Sequence, residues 1–105
     1  MRPITMLAVG AVTSGPIPLD QDISPFSVTL QVSATAGAIV ATVEYTGDDV
    51  FAVGYNPATG NWFPHTDITA VVGDTMGTLI SPVSAVRLVN AGAGTAQLIV
   101  RQAGI

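Results

Sequence analysis

The sequence predicts an all-β protein, a single antiparallel β-sandwich of jelly-roll-like type over residues 1–105. The chain contains 11 Gly and 7 Pro, which divide it into short segments. Within several segments apolar and polar residues alternate with a period of two, as in a half-buried strand. No segment combines helix start and stop signals with a 3.6-residue apolar repeat. About eight short strands joined by Gly/Pro turns are typical of sandwiches and jelly rolls.

The first apolar run, residues 4–12, is expected to form the first strand. Arg2 precedes this run and Ser14-Gly15 follow it, an arrangement that loosely fits a secretory signal. The run is far shorter than the ~18 apolar residues that span a bilayer. We therefore interpret it as a strand.

Residues 26–34 and 38–46 predict a pair of half-buried strands. In the first, Phe, Val, Leu, Val and Ala alternate with Ser, Thr, Gln and Ser. In the second, the residues predicted to face inward are Ile39, Ala41, Val43 and Tyr45, and those predicted to face outward are Thr42, Glu44 and Thr46. Thr35-Ala36-Gly37 lies between the two segments, and this short loop predicts that they form a hairpin.

The middle of the chain contains shorter segments. Gly47-Asp48-Asp49 predicts a turn into a strand over residues 50–55, and residues 56–61 (NPATGN) predict a second loop. Trp62-Phe63 begins a short strand that Pro64 ends or places at a sheet edge. Residues 67–80 are expected to be less regular.

Residues 83–90 and 95–102 predict a second hairpin around Ala-Gly-Ala-Gly. Its core-facing residues are predicted to be Val86, Leu88, Ala96, Leu98 and Val100. A loop of three or five residues would place Leu88 opposite Ala96 or Leu98, because a one-residue slip turns one set toward solvent. Arg87 and Arg101 then lie on the other face.

The composition indicates a protein that is covered by neighbouring subunits. Only 10% of the residues are charged, against about 25% in ordinary domains, and the mean hydropathy is +0.56. Self-association as a homodimer or homotrimer is therefore expected. The cations are Arg2, Arg87 and Arg101 alone, and the net charge is -4. That argues against nucleic acid and against an anionic membrane surface, since both require clustered Lys or Arg.

The sequence predicts no enzymatic activity, no cofactor and no metal. Without cysteine, disulfides and thiolate zinc sites are excluded. His65 is the only histidine, and the GxSxG motif of a nucleophile elbow is missing. The acidic pair Asp48-Asp49, with Asp67 or Asp74, offers oxygen ligands for calcium, but the spacing fits no EF-hand. We interpret the pair as a polar turn.

Four residues are predicted to contribute to an interface: Trp62, Phe63, His65 and Arg87. Most aromatic residues of the chain are Tyr45, Phe51, Tyr55, Trp62 and Phe63. They are expected to lie mainly in the core, and the alternative is an exposed platform that stacks on sugar. Arg87 is expected to pair with a carboxylate, either Glu44 or Asp49 or one on a neighbouring subunit. The alternative for Arg87 is a solvated side chain.

Residues 41–70 and 81–105 resemble a pattern found in small structural proteins of tailed bacteriophages. In that pattern a V-x-Y-T-x-D-D segment leads to W-F-x-H, then to P-V-x-A-x-R-L-x-V and a closing T-x-L-x-V-x-Q strand. The corresponding residues are Val43, Tyr45, Thr46, Asp48, Asp49, Trp62, Phe63, His65, Pro82, Val83, Ala85, Arg87, Leu88, Gln97 and Gln102. At Gln97-Leu98 threonine is commoner, and the first 40 residues carry no such signature.

Proteins of this pattern are similar to jelly-roll decoration or cement proteins of phage heads. The resemblance implies a virion protein, made in the host cytoplasm, that binds the major capsid protein on the outer surface of the capsid and stabilises the assembled head. Two alternatives are a carbohydrate-binding or receptor-binding module of the virion and a component of the tail or collar.

Overall fold

A computed structural model of the chain describes residues 4–19, 27–56, 58–80 and 83–103. The strands in these ranges are β1 Ile4–Val9, β2 Val12–Thr13, β3 Ile17–Pro18, β4 Ser27–Ala36, β5 Ala41–Thr46, β6 Phe63–Pro64, β7 Thr75–Leu79, β8 Ala85–Asn90 and β9 Thr95–Ala103. Arg2, Phe26 and Pro82 lie outside the described residues. Within those ranges no helix is long and apolar enough to cross a membrane.

Two antiparallel sheets form the protein, which confirms the predicted fold class. Sheet A has the strand order β1-β9-β4-β7, and sheet B has the order β2-β8-β5-β6. Strands β2 and β3 pair with successive parts of β8, so together they act as one interrupted edge strand. If β2 and β3 are counted as one strand, the described part of the chain has eight strands, four in each sheet. Their order is that of a jelly roll, in which the first strand pairs with the last.

The core between the sheets is aliphatic. Its residues are Ala8, Ile17, Leu19, Val28, Leu30, Val32, Ile39, Ala41, Val43, Ile68, Leu79, Val83, Val86, Leu88, Ala96, Leu98 and Val100. Leu88 and Leu98 are both fully buried, as predicted, and they come from opposite sheets. Alternation in β4, β8 and β9 therefore identified the buried face of each strand.

Neither predicted hairpin forms. β4 and β5 lie in different sheets, and so do β8 and β9. The loops at 37–40 and 91–94 therefore carry the chain across the sandwich, over a sheet spacing of about 10 Å. The two sets of alternating residues face each other across the core instead of standing side by side. Alternation identifies the buried face of a strand, but it does not identify the neighbouring strand.

Asn90 joins the connections that cross between the sheets at one end of the sandwich. Its Oδ1 accepts hydrogen bonds from the backbone N–H of Val40 (3.2 Å) and Gly92 (3.0 Å). Its Nδ2 donates to the carbonyl oxygens of Gly10 (3.0 Å) and Gly94 (2.9 Å). Asn90 is buried, and it satisfies backbone groups that are themselves buried or partly buried.

The loops at this end are in close contact through their backbones. Gly94 N donates to Ala38 O at 2.7 Å, and Ala91 N donates to Val40 O at 2.9 Å. A Cβ on Gly92 would lie 2.7 Å from Ala38 O, closer than the two loops allow. The Gly-rich segment was predicted to be a hairpin turn. It instead lets two sheet-crossing loops pack against each other.

Residues 50–55 were wrongly predicted to form a strand. This segment is a series of turns, with hydrogen bonds from Ala52 N to Asp49 O and from Tyr55 N to Ala52 O. Thr46 was predicted to face solvent and is fully buried. Its Oγ1 donates to Asn61 O at 2.6 Å, so the 47–61 loop folds back over the end of β5.

Candidate functional site

Strand β6 separates the four predicted interface residues into two pairs. β6 is an edge strand of sheet B that ends at Pro64, as predicted. Trp62, just before it, lies on the outer side of the sheet, against Arg87. Phe63 and His65 lie on the side of Tyr45, at the opening between the two sheets. The four residues therefore do not form one continuous surface.

Arg87 pairs with Glu44, one of the partners that the sequence suggested. The two residues are directly opposite each other on β8 and β5. Arg87 Nε and Nη2 both lie 2.7 Å from Glu44 Oε1, and the two side chains are only 15% and 22% exposed. The guanidinium carbon lies 4.3 Å from the centroid of the Trp62 ring, a cation–π distance. The cluster Glu44–Arg87–Trp62 holds Trp62, the residue that follows the 47–61 loop, against sheet B.

We expect Arg87→Met to lower the free energy of unfolding by about 1 to 3 kcal/mol, because the half-buried Glu44 carboxylate loses its charged partner. The matched control is Arg101→Met, which removes an exposed arginine from the outer face of sheet A and should cost less than about 0.5 kcal/mol. Urea unfolding of both variants measures the difference. Equal, small losses would mean that the Arg87 side chain is effectively solvated.

His65 closes the opening between the sheets. The ring is 5% exposed, and its Nε2 lies 2.8 Å from Thr78 O on β7, the edge strand of sheet A. Its Nδ1 accepts a hydrogen bond from Asp67 N at 3.1 Å, which assigns the proton to Nε2. Both ring nitrogens bond to backbone, so the ring links the two sheets and is not positioned as a base beside a hydroxyl group.

Gly77 makes room for this closure. A Cβ on Gly77 would lie 2.8 Å from His65 Cε1 and 3.1 Å from Ile68 Cδ1. Beside the ring is a cavity of about 260 Å³. Its lining residues are Tyr45, His65, Thr66, Asp67, Thr78, Leu79, Ile80 and Val83. Since the His65 nitrogens are occupied, this cavity presents mainly backbone, threonine and aliphatic groups together with Asp67.

The acidic residues that were considered as calcium ligands accept backbone hydrogen bonds in loops. Asp48 Oδ2 accepts from Asn61 N at 2.8 Å, and Asp49 Oδ1 accepts from Phe51 N at 3.0 Å. Asp74 Oδ1 accepts from Ala34 N at 3.0 Å and so joins β4 to the start of β7. In the described parts of the chain, no three His, Cys, Asp or Glu residues are grouped as metal ligands.

The aromatic residues do not form the core, contrary to expectation. Phe51 is 76% exposed and Phe63 is 54% exposed, while Tyr45, Tyr55 and Trp62 are half-buried. All five residues lie in or beside the loops and the edge strand around β5, where the chain leaves the regular sheets. The buried positions of the strands are occupied by Val, Leu, Ile and Ala, which fill the space between the sheets.

The outer face of sheet A is a surface that the sequence analysis missed. Its residues are Thr5, Leu7, Val9, Ser27, Thr29, Gln31, Ser33, Met76, Thr78, Thr95, Gln97, Ile99 and Arg101. Arg101 is the only charged residue among them, and it lies on the central strand β9, beside Thr29. Thr5, Ile99, Gln31 and Met76 form one continuous row across the sheet.

A signal for this face was present in the sequence. The polar positions that alternate with the core residues of β4 are Ser27, Thr29, Gln31 and Ser33, none of which is charged. The solvent-facing side of a soluble sheet usually carries Lys and Glu as well. Recognising the face also required knowing that β1, β9, β4 and β7 lie in one sheet, which local alternation does not provide.

Comparison of the chain with protein-family models, with curated proteins and with solved structures gave no match in any of the three.

Proposed function

We propose that the protein is a non-enzymatic virion component, a decoration or cement protein that binds the assembled head of a tailed phage and stabilises it. The observation that carries the proposal is the outer face of sheet A, whose named residues include a single charge, Arg101 on the central strand β9. The centres of protein interfaces are depleted of charged residues. A partner that covers this face desolvates one side-chain ion among these residues, that of Arg101.

The side chains of this face suit a protein partner. Leu7, Ile99 and Met76 provide apolar contact area, and Thr, Ser and Gln between them provide hydrogen-bond donors and acceptors. This mixture of apolar area and neutral polar groups is typical of interfaces between subunits. The resemblance of residues 41–70 and 81–105 to phage head proteins directs the proposal to the major capsid protein as the partner.

Heads that lack the protein are expected to assemble but to release their genome at lower temperature or lower salt. A protein that binds the assembled shell and not free subunits stabilises the shell by RT ln(1 + [L]/Kd), about 2.7 kcal/mol per site at a free concentration of 100 Kd. Low salt leaves the repulsion within the packed genome least screened. Purified protein added to stripped heads should restore resistance in a concentration-dependent manner, measured as genome release on heating.

A matched pair of variants tests whether the outer face of sheet A makes the contact. Thr78→Glu adds a charge to this face on β7, and Thr13→Glu adds the same charge to exposed β2 of sheet B. We expect Thr78→Glu to lose the protective effect and Thr13→Glu to retain it. Stripped heads as robust as native ones would overturn the cement role and favour the receptor-binding or tail alternatives.

A further inference from the structure

Strand β1 forms one edge of sheet A and is unusually open to pairing. Its six residues, ITMLAV, contain no charge and no proline. Among the described strands, β1 pairs with β9 alone, on one side. Natural proteins usually protect such an edge with charges, proline or a bulge, because its unpaired backbone groups can bind another strand. β1 has none of these protections.

The backbone groups on the open side of β1 belong to Thr5, Leu7 and Val9. Gly10 N donates to Gly94 O at 3.0 Å, which continues the β1–β9 register by one residue. In an antiparallel pair, hydrogen-bonded and non-hydrogen-bonded residues alternate. The even-numbered residues of β1 therefore bond to β9, and the odd-numbered residues direct N–H and C=O away from the sheet.

The other described edges are shorter than β1, and one of them is partly bonded. On β7, Thr78 O is already bonded to His65. Strand β6 is two residues long and ends in Pro64, and β2 and β3 are two residues each, with Pro16 between them and Pro18 in β3. Among the described strands, β1 is the edge that offers a long, unguarded run of backbone groups.

We propose that two copies of the chain pair through their β1 strands, antiparallel, about a two-fold axis at Leu7. In this register Leu7 exchanges two backbone hydrogen bonds with Leu7 of the second copy. Thr5 and Val9 of each copy then exchange hydrogen bonds with Val9 and Thr5 of the other. The same odd-numbered positions supply the partners in both chains, as an isologous contact requires. Sheet A and its copy become one eight-stranded sheet.

A second copy suits this edge in charge and in side-chain shape. No charged residue lies on β1, so no like charges meet at the axis. Leu7 would pack against its equivalent, and Thr5 against Val9, which are favourable cross-strand neighbours.

This inference goes beyond head binding and is tested on the purified chain alone, so either proposal can fail without the other. The probes are Leu7→Lys, which places like charges together at the axis, and Met76→Lys, which places the same charge on the outer face of sheet A at the far edge. Leu7 and Met76 are 55% and 61% exposed, so neither substitution enters the core. Sedimentation equilibrium measures the mass, and amide exchange by NMR locates the contact.

The wild-type chain and Met76→Lys should sediment at twice 10.7 kDa at micromolar concentration. Leu7→Lys should raise the dissociation constant about tenfold or more. The amides of Thr5, Leu7 and Val9 should be protected in the wild-type dimer and exchange rapidly in Leu7→Lys. The amides of Met6 and Ala8, bonded to β9, should stay protected in both and show that the variant is folded. A wild-type monomer or trimer, or a dimer that Met76→Lys dissociates equally, would overturn pairing through β1.

Discussion

Asn90→Ala is expected to lower the free energy of unfolding by about 3 to 5 kcal/mol. The substitution leaves the N–H groups of Val40 and Gly92 and the carbonyl of Gly10 without their partner, while Gly94 O keeps its hydrogen bond from Gly10 N. Each buried polar group left unsatisfied costs about 1 to 3 kcal/mol, and water entering the gap recovers part of that cost. Urea unfolding at constant m-value measures the loss.

Asn56 provides the matched control for Asn90. Its Oδ1 accepts a hydrogen bond from Ala58 N, two residues on, as the Oδ1 of Asn90 does from Gly92 N. Asn56 is exposed, so water replaces the lost bond, and Asn56→Ala should cost less than about 1 kcal/mol. If Asn90→Ala is as mild as Asn56→Ala, then Asn90 does not hold Gly10 and the loops at 37–40 and 91–94 together.

Leu88→Ala is expected to cost about 2 to 5 kcal/mol, the range for a fully buried leucine. Leu88 lies at the centre of β8, which pairs with β5 on one side and with β2 and β3 on the other. The cavity left by the substitution would lie between two sheets whose backbones are fixed by these ladders, so the surroundings have little freedom to collapse into it.

Val53→Ala is the control for a loss of apolar volume at the surface. Val53 is fully exposed in the 47–61 loop, and its truncation should change stability by less than about 0.5 kcal/mol. Thermal unfolding of both variants measures the contrast. A surface-like loss for Leu88→Ala would contradict the position of β8 in the core.

The sequence predicted the buried faces of β4, β8 and β9, because alternation depends on local geometry. It missed β7, which lies in the segment 67–80 that was expected to be less regular, and it joined β1 and β2 into one strand over residues 4–12. Val86, Leu88, Ala96, Leu98 and Val100 were all assigned to the core, and all are fully buried. The prediction of a strand over residues 50–55 was wrong because Phe51 and Val53 are apolar but exposed. Apolar composition without alternation does not identify a strand. The alternating pattern therefore indicates which aliphatic residues are buried between the two sheets.

The sequence did not predict which strands pair with each other. A loop of three or four small residues fits a hairpin and a sheet crossing equally well, since both require a tight reversal. What selects the crossing here is long-range: Asn90 bonds to Gly10 and to Val40, residues distant from it in the chain. Neither residue alternation nor turn composition in the neighbouring sequence predicts these hydrogen bonds.

The candidate site was predicted in part. The pairing of Arg87 with a carboxylate on a neighbouring strand followed from the scarcity of charges, and Glu44 is the partner. The structural role of His65 was not foreseen in detail, because it depends on Gly77 and Thr78 across the opening between the sheets. The outer face of sheet A could not be predicted either, because recognising it requires the order of the strands in the sheet.

A density map of the intact phage particle tests the proposed function most directly. The account predicts density for this β-sandwich on the outer surface of the head, with the outer face of sheet A against the major capsid protein and the 47–61 loop directed away from the shell. Density for the protein only in the tail or collar, or a head contact made by the Glu44–Arg87–Trp62 side of sheet B, would contradict it.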